Sequence, residues 1–508
     1  MKMSRLDFIR GGVAATAVTA TALAGWLRSQ AAPVRAEGEE PTSTPTEEPT
    51  ATPEPSSTPE PTATATPEPE PTSTPEPSRR PNFLVIVTDD QDYSSWAEPF
   101  TFATRTGKPL LNDEAQPQKG YAMPFLRSFP EGGWVDFQQA AVAAPICGPS
   151  RASLLTGVPA GTVAGHGVLR NGELHRLDES NTLAVWLEEA GYEVALRGKY
   201  NFGDNERYRP KPPGYAYFNL GGRAGTVFRD GEEYIREYAA RGATKPLCLF
   251  LTPTDPHVPL RPQGAHANLN LIPSPAPPNY DEEDVSDKPA WVRRLRRVGQ
   301  PGRFAKTRKK IIQTLLGVDD GIRSVFNALQ ETGLADNTII IFTSDNGHSF
   351  GSHRLGWKGA PYDESVRVPL VIRFPWLAGN RAEDRAVSHL DVTATIVDLS
   401  GAAARRPLVG RSIKPMIEEP ETYWEGVTYI EGHGSAGDLK EVQRPIFRAI
   451  RTSGAAFGRY TYVELPETGE RELYDLEADP WQMNNLAGLP QHAELEDLLS
   501  NRLHSFTD

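Results

Sequence analysis

Cysteine is nearly absent from this chain: 508 residues contain two, Cys147 and Cys248. That scarcity excludes a disulfide-stapled scaffold, so the fold must rest on its core. Cys248 lies in the apolar run Leu247-Cys248-Leu249-Phe250-Leu251 and reads as a buried strand residue. Cys147 stands four positions before an arginine, which makes it more interesting as chemistry than as a staple. A positive charge excess is missing too. The formal charge is −13, and most of it comes from the glutamates of 37–78, a stretch without Lys or Arg. The remainder is close to neutral, so no nucleic-acid partner is expected, because such a surface needs clustered cations facing phosphates. The apolar stretch 11–26 falls short of the roughly 20 residues that cross a bilayer.

That stretch follows the basic residues Lys2, Arg5 and Arg10 and precedes small residues near Ala36, the layout of a signal peptide over 1–36. Residues 4–10 resemble a twin-arginine export motif with Leu6 in place of the second arginine, and the ordinary secretory route also fits. An uncleaved anchor is the other reading of the segment. The sequence therefore predicts export, to the extracellular space, the cell surface or the periplasm. From 37 to 80 Pro, Thr, Glu and Ser recur without large apolar residues until Arg79 and Arg80, which cannot bury a core. The tract reads as a disordered, partly polyproline spacer that could tether the folded part to a membrane or cell wall, or as an inert leader.

The folded part begins at Pro81. Near-continuous apolar runs at 83–88, 247–252 and 338–343 each end in polar residues: Asp89-Asp90, Pro253-Thr254-Asp255-Pro256-His257 and Ser344-Asp345-Asn346-Gly347. Such strands are buried on both faces, and helical patterns at 183–190, 305–331 and 390–399, each followed closely by glycine, supply the cover. This is α/β alternation over 81–400, with ligands expected beyond the carboxyl ends of the strands. After about 401 shorter β-like pieces at 446–452, 459–464 and 472–476 predict a small antiparallel sheet in a C-terminal α+β subdomain, 401–508.

The run Cys147-Gly148-Pro149-Ser150-Arg151-Ala152-Ser153-Leu154-Leu155-Thr156-Gly157 places cysteine and arginine at a predicted helix start, where free N–H groups and the helix dipole favour an anion. It resembles the signature of the type I sulfatase family, C-x-P-S-R-x-x-x-L-T-G, with every fixed position filled. The closing segment Glu472-Leu473-Tyr474-Asp475-Leu476 through Asn485-Leu486-Ala487 is also similar to that family. The resemblance implies an alkaline-phosphatase-like fold with a large mixed sheet covered by helices, and conversion of Cys147 to formylglycine by a formylglycine-generating enzyme. It implies calcium held by Asp89, Asp90, Asp345 and Asn346 against position 147. Single Asp-Asp or Asp-Asn-Gly pairs are ordinary turns; their coincidence with the Cys147 motif gives them a metal-binding sense.

Sulfate-ester cleavage needs charge neutralisation, a placed nucleophile and a proton for the departing alcohol. By resemblance, Arg151 supports the formylglycine hydrate, Lys199 and Lys358 hold sulfate, and His257 binds sulfate or the leaving oxygen. Asn201 departs from the family, which has histidine there to deprotonate the hydrate; His166 or a water is the candidate replacement, and a sugar contact is the other use of His166. Blocks at 198–200, 284–289 and 315–320 are similar to the N-acetylglucosamine-6-sulfatase and arylsulfatase subgroup, making a sulfated carbohydrate or aryl sulfate the expected substrate. Tyr215, Tyr217 and Phe218 could stack on a sugar or pack in the core. Two rivals stand beside this reading: a phosphonate or phosphate-diester hydrolase of the same superfamily, and a noncatalytic glycan-binding surface protein.

Overall fold

The computed structural model describes residues 80–112, 114–161, 176–200, 210–299, 301–434 and 446–507. The predicted signal segment, all but the last residue of the 37–80 spacer, His166 and Asn201 lie outside the described residues.

The centre is an eight-stranded mixed sheet. In chain order its strands are β1 (Asn82–Thr88), β2 (Trp134–Phe137), β3 (Glu193–Gly198), β4 (Tyr217–Leu220), β5 (Leu247–Thr252), β6 (Thr338–Ser344), β7 (Leu370–Arg373) and β8 (Arg381–Glu383). Across the sheet they run β8-β2-β7-β6-β1-β5-β3-β4. Only β7 runs antiparallel to its neighbours; β1 lies parallel between β6 and β5.

The period-2 alternation of a strand explains how both faces are covered. In β1, Phe83, Val85 and Val87 point into one core with helices α1 (Cys147–Thr156), α2 (Leu183–Glu189) and, later in the chain, His389–Ser400. Leu84 and Ile86 point to the opposite core, built with α3 (Ala224–Ala240) and α4 (Pro301–Glu331). Ile339 and Ile341 of β6 follow the first set, Ile340 and Phe342 the second. Each such side chain contributes about 1.5–3 kcal/mol by leaving water. Cys248 is fully buried in β5. The helix expected from 305 starts at Pro301, since a proline suits a first turn whose N–H groups have no partner. The His389–Ser400 helix opens with a capping box, Ser388 with Asp391, and closes on Gly401 at φ 68°.

Beyond it, a four-stranded antiparallel sheet comprises Val427–His433, Ile446–Thr452, Tyr460–Leu465 and Glu470–Asp475. Its first strand was not legible as one of the β-like pieces, and the other three lie within two residues of expectation.

One glycine fixes the approach of β3 to β5. Gly198 has φ +123°, and a Cβ there would lie 2.2 Å from the Thr252 carbonyl oxygen. Gly198→Ala should therefore cost roughly 3 kcal/mol or more, while Gly242→Ala, at φ +62° with open space around it, should cost about 1 kcal/mol. Denaturant unfolding of the two variants compares them directly.

Candidate active site

In-register pairing of Thr88 with Ser344 puts the residues after β1 and β6 side by side. Asp89 and Asp90 therefore meet Asp345 and Asn346, and all four are buried. Asp90 takes a left-handed backbone, φ 65°, a conformation that aspartate tolerates better than most residues. Its N–H donates to Asp345 Oδ1 at 3.2 Å, and its Oδ1 accepts from Asn346 Nδ2 at 2.7 Å. The first residue of α1 enters this group. Cys147, 1 % exposed, approaches Asp89 Oδ1 with its Sγ at 3.3 Å. One ligand atom from each of Asp89, Asp90, Cys147 and Asp345 lies within 4.8 Å of the others.

Three carboxylates at that spacing repel one another by about 3–4 kcal/mol per pair at an effective dielectric near 20. Three cations offset them. Arg151, on α1 one turn after Cys147, donates from Nε to Asp345 Oδ2 at 2.8 Å and from Nη1 to the Lys199 carbonyl at 2.9 Å. Lys199, just past β3, donates to Asp89 Oδ2 at 2.7 Å. Lys358 donates to Asp90 Oδ1, to Cys147 Sγ and, at 3.3 Å, to Asn346 Oδ1. Burial pushes the Asp89 and Asp90 carboxyls up, yet Lys199 for the first and Lys358 for the second lead the charges that bring both below their ordinary value. Burial alone would lower Lys358; Asp90 foremost drives it well above its usual range.

His257 stands at the mouth, its side chain 38 % exposed, with Nε2 3.6 Å from Asp90 Oδ2. Its Nδ1–H donates to the Val258 carbonyl at 2.6 Å, which turns Nε2 toward the site. The structure thus assembles nine of the eleven sequence-predicted positions; His166 and Asn201 are outside the described residues. Tyr215 and Phe218 pack with Tyr200 at centroid distances of 5.9 and 5.3 Å, and Tyr217 packs on Tyr234, so these aromatics serve the core.

Two neighbours escaped the sequence analysis. His348 follows Asp345-Asn346-Gly347 by one residue, and burial lowers its ring pKa to about 4, leaving it neutral. Asp255 accepts from Arg223 Nη1 at 2.7 Å and from the Ala224 N–H at 2.6 Å, while its carbonyl accepts from the Asp89 N–H. It ties the His257 loop to β1. Position alone could have flagged both, Asp255 within the strand-end segment 253–257 and His348 immediately after Gly347.

The donor set suits a hard divalent cation: three carboxylates and an amide oxygen, all buried. Without one, three cations balance three carboxylates. A divalent ion would leave the site net positive, as an anionic substrate requires.

Residues 81–402 match the family model described as Sulfatase. The chain belongs to the sulfatase family. Residues 351–508 also match the model for the C-terminal part of N-sulphoglucosamine sulphohydrolase. Among sulfatases, an extracellular sulfatase homologue of Drosophila melanogaster is 30 % identical over 67 % of this chain and 31 % of its own length, so the chain spans about a third of that relative. An arylsulfatase of Chlamydomonas reinhardtii is 27 % identical over 80 % of this chain and 72 % of its own. Human N-acetylglucosamine-6-sulfatase is 25 % identical over 81 % of each. A protein solved with its substrate D-glucosamine-2-N,6-O-disulfate shares the fold at TM-score 0.66 and 20 % identity, covering 84 % of this chain and 97 % of that one. The phosphonate monoester hydrolase of Agrobacterium radiobacter does so at 0.64 and 21 %, covering 84 % and 95 %. These comparisons identify a sulfuric ester hydrolase family on an alkaline-phosphatase-like fold. Among the described residues no helix is long and apolar enough to cross a membrane.

Burial, then Asp345 and Asp89, raise the Cys147 thiol to about 12. It is protonated at neutral pH, so a thiolate nucleophile is not what this pocket favours. Unconverted, chelated protein should react with iodoacetamide at pH 8 at least a hundredfold more slowly than free cysteine, with Cys147 alkylation followed by peptide mass.

Proposed function

We propose that this chain is an exported sulfatase that cleaves sulfate monoesters on sulfated glycans, with Cys147 converted to formylglycine and calcium held by Asp89, Asp90, Asp345 and Asn346. The observation that carries the reading is the convergence of Lys199, Lys358 and Arg151 on a buried Cys147 ringed by carboxylates. No other arrangement among the described residues groups a metal-type acidic set with a cysteine.

The aldehyde hydrate at position 147 would supply the nucleophile, and the calcium would neutralise oxygen charge beside it. The chain's own side chains do the rest. Arg151 fixes Asp345 and, through the Lys199 carbonyl, the turn that carries Lys199. Lys199 and Lys358 bind the nonbridging sulfate oxygens once these displace their carboxylate partners. The departing alcohol takes a proton from Lys358 or from Nε2 of a protonated His257, the two donors beside Asp90. His257, open to solvent, marks the side from which the alcohol portion enters. The relatives named above as extracellular sulfatase and N-acetylglucosamine-6-sulfatase support a glycan substrate met outside the cell. An asparagine side chain at 201 can donate and accept hydrogen bonds but cannot take the proton, which leaves His166 or a water to deprotonate the hydrate.

Protein produced with a formylglycine-generating enzyme should show the aldehyde mass at position 147 and release sulfate from an aryl sulfate faster than it cleaves a phosphodiester. Intact thiol, or binding without turnover, would favour the glycan-binding reading; faster phosphodiester cleavage would favour the phosphonate and phosphate hydrolases. Calcium at a hundred times its Kd should stabilise the fold by about 2.7 kcal/mol. Asp90→Asn should lose most of that thermal shift. His166→Ala should lower turnover at least tenfold, with Asn201→His restoring part of it; an unaffected His166→Ala together with a faster Asn201→His would assign the proton to water.

A further inference from the structure

A cavity of about 550 Å³ opens beside the catalytic cluster. It shares His348 with that cluster's surroundings, where Asp90, Lys358 and His257 all act on the ring, and its rim includes Val258, the residue after His257. The floor is aromatic. Tyr280 and Phe304 meet edge to face at 5.2 Å, and Phe350 stacks on His348 at 3.9 Å. The loop packs closely here, because a Cβ on Gly351 would lie 2.3 Å from the Tyr280 ring.

The wall is different in kind. Arg303, Lys306 and Lys310 line it from α4, at spacings of three and four that set them on one helix face. All three are exposed, and among the described residues no hydrogen bond or ion pair engages any of their charged groups. Among the described residues that line it, none is Asp or Glu. The rest of α4 is not arranged this way: Arg308 is locked on Asp92 and Arg323 pairs with Asp320. Three cations without carboxylates raise the local positive potential, over rings that suit the apolar face of a sugar.

We propose that this cavity is a second anion subsite, which takes a further sulfate or a uronate carboxylate carried by the same glycan chain whose sulfate ester is cleaved. It rests on the glycan sulfatase reading and narrows the substrate class to oligosaccharides with at least two anionic groups. A single-sulfate aryl ester leaves the subsite empty.

The test is the triple variant R303Q/K306Q/K310Q, whose changes are all on the surface, in mature full-length protein. The readout is the ratio of kcat/KM on an oligosaccharide with two anionic groups to that on an aryl sulfate. One arm uses a disulfated oligosaccharide without uronate, the other a monosulfated one with uronate, to tell the two anions apart. The ratio should fall tenfold or more in at least one arm, and added salt should shrink the wild-type preference toward that of the variant. An unchanged ratio in both arms overturns the proposal, whatever the absolute rates. Calorimetric binding of the same oligosaccharides separates the two readings. Tight binding by wild type and at least tenfold weaker binding by the variant, with no sulfate released by either, would leave the subsite standing and remove the sulfatase function.

Discussion

Three carboxylates buried together are the constraint on which the rest of the structure depends. Asp89, Asp90 and Asp345 cannot share a dry site unless positive charge is brought to them, and the fold brings it from three separate places: α1, the end of β3 and the loop after β6. Each carboxylate has its own cation, so losing any one would leave a buried charge uncompensated, a cost of several kcal/mol. The same balance is what makes the site responsive. A divalent ion would tip it positive, and a sulfate monoester, with its single negative charge, would offset part of that excess.

Lys358 comes from the loop after β6, and the small C-terminal sheet holds the residues that follow it, Tyr362 and Asp363. Arg451, in the second of its four strands, makes two bonds to Asp363 at 2.9 and 3.0 Å. Glu472, in the fourth, accepts from Tyr362 at 2.8 Å and from Tyr474 at 2.6 Å. These buried contacts anchor the segment that runs from Lys358 to Asp363. The C-terminal sheet is thus part of how the site is positioned, although it contributes none of the cluster's charged groups.

Much of this was legible early. Continuous apolar runs with polar ends identified β1, β5 and β6, because a strand covered on both faces has no polar side to show. The motif at 147–157 pointed to Cys147 and Arg151, which the fold brings into the buried carboxylate cluster. Less was legible where partners are distant in sequence. The strand Val427–His433 pairs with Ile446–Thr452, and nothing local distinguishes it from a loop. His348 and Asp255 carried no signal beyond their neighbours in the chain, and the roles of Tyr215 and Phe218 turned on packing against Tyr200.

The sequence by itself determined the α/β class, the family and the residue types of the buried cluster, because periodicity and motif chemistry are local properties. Tertiary structure alone decided which cation faces which carboxylate. It also decided that Arg303, Lys306 and Lys310 look into a cavity shared with His348 rather than into open solvent. Those outcomes depend on the register of Thr88 against Ser344 and on where α4 crosses the sheet, relations between segments some 250 residues apart that no local pattern encodes.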